Sequence, residues 1–462
     1  MTAISNTIAQ RDIEALIHPY TNMKKHRDQG PVVMVRGKGV RVWDHQGKDY
    51  IEGLAGLWCA SLGFDEPELV EAARKQMAEL PFYHQFNHKS APPTIALAEK
   101  LKAIAPFAAD KVFFCNSGSE ANDTQIKLVW YYNNALGRTK KKKIVSRIKA
   151  YHGVTIATAS LTGLPNNHRD FDLPIAGIVH TDCPHHYRFA KDGESEEEFS
   201  ARLAAQLDAF IQKEGPDTVA AFIAEPVMGA GGAIIPPKGY FQAIQAVLRK
   251  YDVLFIADEV ITGFGRTGNM WACETFGIKP DLLTCAKALS AAFLPISACL
   301  ISKPIADAVT ENSAKIGVFG HGYTYSGHPV PAAVAVRTLE LYEQRKIVEH
   351  VRKVSRRFLA RIEALRDHPL VGEAKGVGLI GAVELVADKR SKRAFDPKLG
   401  VSQYCGAQAE RHGVILRGLM GDRVAFCPPL IITEAEIDEM FDRFDRALAD
   451  TLGYVRGAAA AE

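Results

Sequence analysis

One lysine, Lys287, stands in the otherwise apolar and small-residue stretch TCAKALSAAFLPIS (284–297). A lysine in such company loses hydration that little else replaces. Three readings suit it: a short exposed turn, a stem that snorkels to water, or an amine kept partly uncharged as a nucleophile or Schiff-base partner. A second reactive group ends the apolar run VLFIADEV (253–260), where Asp258 and Glu259 sit at the point a strand would leave a sheet. Alone, such an acid reads equally well as a helix cap or a surface charge. Lys287, however, follows Asp258 by 29 residues, with one short strand-like run between them. Two neighbouring parallel strands would deliver acid and lysine to one crevice.

A third piece is FFCNSGSEAND, in which Ser117, Gly118 and Ser119 precede a helix opened by Glu120. Backbone N–H groups, hydroxyls and the positive end of the helix dipole make an anion site there, suited to a phosphate, unless Ser117 is a plain N-cap. Tyr151, in AYHG, follows the strand-like KIVSRI and can lay a flat ring over the same crevice. Phosphate cradle, aromatic lid, acid and lysine together meet the needs of pyridoxal 5′-phosphate. Lys287 would hold its aldehyde as a Schiff base, and Asp258 would pair with the pyridinium nitrogen so that the ring accepts electrons.

These groups need elements to position them. From about residue 111 strand-like and helix-like segments alternate: 111–115, 143–148, 218–226, 253–260 and 281–286 as strands, with a helix after Gly118 and an amphipathic crossover helix at 239–251. Unalternating apolar strands joined by helices indicate an α/β fold with a mostly parallel sheet covered on both faces, and ligands sit beyond its carboxyl ends. Residues 1–60 carry a hairpin-like segment, and a long helical region (331–366) precedes the strand-like VGLIGAVELV and RVAFCPPLIIT. The expected division is a large domain at 61–330 and a smaller α+β domain built from both chain ends, 1–60 and 331–462.

Composition narrows the function classes. A net charge of +3 lacks the basic excess of a nucleic-acid binder, and Lys140–Lys143 reads as a solvated turn entering a strand. No apolar run approaches the ~20 residues of a membrane span. The stretch MTAISNTIAQRDIEALIHPY lacks a basic start and apolar core, so no secretory leader is expected. Eight scattered cysteines without a CxxC pair suit reduced thiols in a cytoplasmic protein. CPHHY (183–187) finds no second cluster at ligand spacing; it reads as a surface loop, and no metal is expected. GFGRTG (263–268) follows a strand, but no acid ends the next strand, and GVGLIG (376–381) runs into a strand-like segment rather than opening a helix. Both lack the context a dinucleotide fingerprint requires, which argues against an NAD-dependent dehydrogenase.

FIAEPVMGAGG, ADEVITGFGRTG, CAKALSAAFLPIS and GHGYTYSGHP, in that order, resemble class III aminotransferases of fold type I. HPYTN, AGLWCASLGF, ELPFY, SGSEANDTQIKLVWYYNN, YHGVTIATASLTGL and GVILRGLMGDRVAFCPPL resemble more closely the ω-transaminases, the (S)-selective amine:pyruvate and ω-amino acid:pyruvate enzymes. The resemblance covers nearly the whole chain. It implies Lys287, Asp258 and Tyr151 as catalytic residues, Val260 behind the cofactor ring with Tyr151 on its other face, and Ser117, Gly118 and Ser119 on the phosphate. It implies that Thr324, with Tyr323 beside it, reaches that phosphate from the second subunit of a homodimer or tetramer. Tyr20, Leu57, Trp58 and Phe86 would form the apolar walls of the substrate pockets. Arg417 would pair with a substrate carboxylate and swing out for neutral amines.

The implied reaction moves an amino group from an ω-amino acid, diamine or primary amine to pyruvate by ping-pong steps, with Lys287 shuttling the proton. An aminomutase or decarboxylating branch on the same cofactor, and a PLP-fold binding protein without activity, are the alternatives; intact lysine, acid and cradle argue against the latter. Ala291, Ala292 and Phe293 replace the Ser, Gly or Ser, and Tyr common after the lysine, and Trp271-Ala272 replaces Phe-Gly. Those departures bear on substrate preference and packing. Glu225 and His152 lie in the same motifs without an assigned role.

Overall fold

The computed structural model describes residues 7–461; residues 1–6 and 462, parts of the N-terminal stretch and alanine tail read above, lie outside it. An N-terminal antiparallel meander comprises β1 (Met34–Lys38), β2 (Arg41–Asp44) and β3 (Asp49–Glu52). A seven-stranded sheet follows, made of β4 (Ala109–Cys115), β5 (Lys143–Arg147), β6 (Ile178–Thr181), β7 (Val219–Ala224), β8 (Leu254–Asp258), β9 (Leu282–Cys285) and β10 (Ser297–Ser302). Its spatial order is β4-β10-β9-β8-β7-β5-β6. β8 pairs in parallel with both β7 and β9, whereas β10 runs antiparallel to β9 and β4.

Every residue of β7, VAAFIA, is buried, as expected of a strand covered on both faces. The helix Tyr240–Lys250 packs beside β8, and the helix Gly118–Ala135 contacts β9 and β10. Five strands fall where the apolar runs place them. β6 and β10 were not foreseen: β6 has only four residues and contains His180, and β10 hides in the apolar continuation of the Lys287 stretch.

The remaining strands are β11 (Val371–Val377), β12 (Ile380–Leu385), β13 (Val414–Ile415), β14 (Arg417–Leu419) and β15 (Arg423–Phe426). β13 pairs in parallel with β3, Val414 opposite Ile51, so the two chain ends share a sheet. β11, β12, β15 and β14 form a separate antiparallel sheet. The region 331–366 is two helices, Pro329–Gln344 and Ile347–Ala364, because Lys346 adopts a left-handed φ of 50° and breaks the run.

Two surface readings need correction. Lys141 is buried, its Nζ donating to the carbonyls of Tyr251 and Asp252, so the basic run is partly a structural clamp rather than a solvated turn. CPHHY is not a surface loop: Cys183 and His185 are buried, the latter against Glu373 and Arg423. All eight cysteines are free thiols. GVGLIG forms the turn between β11 and β12, not a helix entrance. Among the described residues no helix is long and apolar enough to cross a membrane.

Candidate active site

Register explains how acid and lysine meet. Asp258, the last residue of β8, pairs with Thr284 of β9, and Lys287 follows three residues later. Lys287 opens a short 3₁₀ turn with φ of 49°, an uncommon conformation for a side-chain-bearing residue that costs of order 1–3 kcal/mol. Ala291 and Ala292 also have positive φ, so the chain turns sharply on both sides of Ser290. Burial pulls the Lys287 amine below its usual range; Cys59, Asp258, Cys427 and Glu225 oppose that pull.

Asp258 Oδ2 accepts from His152 Nδ1 at 2.7 Å and from Asn122 Nδ2 at 2.8 Å, and Oδ1 accepts from the Val260 amide at 3.1 Å. Three donors on two oxygens are the bonding pattern of a carboxylate. Asn122 also donates to the His152 carbonyl at 2.8 Å, tying both supports together. Next to this group, Glu225 accepts from the amides of Tyr151 and Gly229, and burial pushes its carboxyl upward. Glu225 thus fixes the backbone of Tyr151.

Ser117 caps the helix Gly118–Ala135 by accepting from the Glu120 amide at 3.2 Å. Glu120 is turned back, its Oε2 accepting from both nitrogens of Asn116, which keeps its charge engaged away from an anion on the cap. Ser119 Oγ accepts from the Val154 amide at 3.2 Å. The cradle is built for close approach: a Cβ at Gly118 would lie 3.1 Å from both Val260 methyls, and one at Gly153 would lie 2.5 Å from Ser119 Oγ.

Lys287, Asp258, Tyr151, Val260 and the Ser117–Ser119 turn all line one cavity of about 910 Å³. Tyr20, Leu57, Trp58 and Arg417 line the same cavity. Trp58 is buried against Ile261 and Leu419, in a segment where Ala55, Gly56 and Trp58 all have positive φ. The Tyr20 hydroxyl accepts from Asn167 Nδ2 at 2.6 Å, and the Arg417 guanidinium lies 6.0 Å from the Tyr20 ring centre. Among the described residues Arg417 forms no ion pair with any acid, although many other arginines do.

Phe86, Tyr323 and Thr324 are not brought to this cavity within the chain. Phe86 is exposed and packs where a Cβ on Gly322 would fall, and Tyr323 donates to the Glu120 carbonyl at 3.1 Å. Of the departures from the common pattern, Ala292 lines the cavity, whereas Trp271 is core: fully buried, it donates to the Ile104 carbonyl at 2.6 Å. Asn122 escaped the sequence reading. Its one signal was a polar residue four positions into the helix after Gly118, on the turn that faces the cradle.

These residues fit pyridoxal 5′-phosphate on structural grounds. The cavity holds a carboxylate with fixed donors, an amine lowered by burial, and a glycine-lined helix start with amides Gly118 and Ser119 ahead of the first intrahelical acceptors.

The family model described as "Aminotransferase class-III" matches residues 22–448. Gamma aminobutyrate transaminase 3, chloroplastic, of Solanum lycopersicum is 50% identical over 458 residues, covering 97% of this chain and 88% of that protein. Probable gamma-aminobutyrate transaminase 2, mitochondrial, of Oryza sativa subsp. indica is 52% identical over 440 residues, covering 95% and 88%. The omega transaminase from Pseudomonas jessenii in complex with PMP superposes with a TM-score of 0.96 at 53% identity, over 97% of this chain and 99% of that one.

Proposed function

The chain belongs to the class-III aminotransferases, fold type I enzymes that use pyridoxal 5′-phosphate, and from that premise we propose that it transfers the amino group of an ω-amino acid, diamine or primary amine to pyruvate. The observation that carries the reading is Arg417, a guanidinium that lines the cavity beside the Tyr20 ring with no acid paired to it among the described residues. A guanidinium so placed suits a carboxylate remote from the reacting amine, and equally the carboxylate of a small keto acid. Two curated relatives named for gamma-aminobutyrate support the first half of that statement.

When bound, the cofactor supplies an electron sink that acidifies the amine-bearing carbon. Lys287 Nζ is the amine that would hold the cofactor at rest and would then take and return the proton of the donor carbon. Asp258, fixed by His152 and Asn122, presents its carboxylate to the ring nitrogen. Ser117, Gly118 and Ser119 would hold the phosphate through hydroxyls and amides, and Tyr151 and Val260 would hold the ring between them. Tyr20, Leu57 and Trp58 exclude water from the apolar part of the substrate.

The same reading divides the chain near residues 60 and 330, and makes the enzyme a homodimer or a larger assembly of such pairs. Phe86, Tyr323 and Thr324 then serve the partner's cavity, which accounts for the exposed aromatic surface of Phe82, Tyr83, Phe86 and Tyr325. The free thiols suit a reducing compartment such as the cytoplasm.

The test is a pair of half-reactions. The visible band of the holoenzyme should fade on adding 4-aminobutyrate, β-alanine or an arylalkyl amine, and return with pyruvate. A band restored by 2-oxoglutarate and not by pyruvate would overturn the acceptor assignment.

A further inference from the structure

Away from the cavity's chemistry, two clusters among the described residues bring three metal-ligand side chains within 4.8 Å of one another: His185 with Glu373 and Glu384, and Asp12 with His18 and His26. The first already contains its cation. Arg423 Nη1 lies 2.6 Å from Glu373, 2.8 Å from Glu384 and 3.1 Å from His185 Nε2, so the guanidinium fills the space an ion would take.

Among the described residues no such cation occupies the second cluster. Asp12 Oδ1 lies 2.9 Å from His18 Nε2 and 3.1 Å from His26 Nε2, and these two histidines are its only ion-pair partners among the described residues. The rings stand 4.1 Å apart, tilted by 34°, with both Nε2 atoms near the same carboxylate oxygen. We propose that Asp12, His18 and His26 form a binding site for a divalent transition-metal ion of the zinc class. Ligands at ~2.0–2.1 Å from a tetrahedral ion are themselves about 3.3 Å apart, within a few tenths of an ångström of the separations between Asp12 and each histidine. Two imidazoles and one carboxylate are the donors that zinc and its neighbours accept, with a fourth position open to water. The spacing, six and eight residues, matches no short ligand motif, so no metal was expected here from sequence alone.

The site has a consequence for the cavity. Asp12 lies in the helix Ile8–Ala15 and His26 in the helix Met23–Gln29, and the linker between those helices carries Pro19 and Tyr20, both cavity-lining. An ion held by residues 12, 18 and 26 would pin that linker and hold Tyr20 against Asn167 and beside Arg417.

The experiment titrates zinc-free holoenzyme with Zn²⁺ against a chromophoric indicator, alongside Asp12→Ala, His26→Ala and the more exposed His18→Ala. Retention of the cofactor's visible band in each variant reports an intact fold. The wild type is expected to take up one equivalent of zinc per chain more than the variants, or to bind it with affinity lowered in each variant by at least the 10–100-fold that outer-sphere changes alone produce. Co²⁺ in place of Zn²⁺ should give the intense visible bands of a tetrahedral site in the wild type only. Zinc uptake that is absent in the wild type, or equal in the wild type and all three variants, would overturn the site.

Discussion

His152 Nδ1 donates to Asp258 Oδ2 at 2.7 Å where both side chains are almost wholly shielded from water. The His152 Nε2 atom has no partner among the described residues, so the whole polar contribution of this imidazole is directed at one carboxylate. On the proposed function, in which Asp258 faces the cofactor's ring nitrogen, His152 would act as a positioning residue for that carboxylate.

Replacing His152 by Ala removes a hydrogen bond to a charged acceptor, worth about 1.5–3 kcal/mol. If that loss is felt in the transition state, kcat falls by about 10- to 150-fold. The half-reaction rate checks the number. The cofactor's absorption maximum should shift in the same variant, which a merely structural loss would not cause, and His152→Gln, which keeps a donor, should recover part of the rate.

On the proposed function, Lys287→Ala would remove both the anchoring amine and the proton carrier. Turnover should drop by at least the roughly 10²–10⁴-fold that general acid–base catalysis contributes. Borohydride treatment followed by mass spectrometry should find the cofactor fixed to the wild-type chain and absent from the variant. Cofactor still fixed after reduction would assign the anchoring role to another lysine.

Arg417→Ala should separate substrates by charge. Loss of a charge-assisted pair costs carboxylate-bearing donors and pyruvate about 1.5–3 kcal/mol in kcat/KM, while neutral arylalkyl amines should change by less than about three-fold. A uniform loss across charged and neutral donors would show that Arg417 acts through packing on Tyr20 and not by ion pairing.

Gly153→Ala tests the cradle. The added Cβ would sit 2.5 Å from Ser119 Oγ and 2.6 Å from Thr158 Oγ1, at a φ of +133° that residues with a side chain rarely adopt. Cofactor should leave the variant faster on dialysis, with the far-ultraviolet dichroism unchanged.

Glu52 supplies a pH test of stability. Burial pushes its carboxyl up to about 8, against the opposing hydrogen bonds from the Leu54 and Gly56 amides. Between the unfolded value near 4.5 and that figure, the folded chain keeps a proton that the unfolded chain has released. Its stabilising contribution is complete below about 4.5 and is lost as pH rises through 8. Urea midpoints should fall from pH 6 to pH 9 in the wild type and fall less in Glu52→Gln, the difference being of order a few kcal/mol.

Lys287, Asp258 and the Ser117 turn were legible because each breaks a local rule: a charge among apolar residues, an acid closing a buried strand, a glycine between serines before a helix. Tyr20, Trp58 and Arg417 were legible only through family resemblance, since nothing in their own neighbourhoods marks them. The buried group of His185 with Arg423 was misread as surface because its partner lies 238 residues away, beyond any periodicity. Asn122 went unnoticed for a related reason. A polar residue inside a helix reveals its purpose only when a distant strand end supplies the acceptor.

The pairing of β13 with β3 bears on how the protein is made. Val414 can meet Ile51, and Arg417 can approach Tyr20, only after nearly the whole chain has left the ribosome. At the usual ~5–20 residues per second, Lys287 is complete several seconds before Arg417. A nascent chain thus carries every residue that the proposed function puts on the cofactor within this protomer before it carries Arg417, the guanidinium proposed to read a substrate carboxylate.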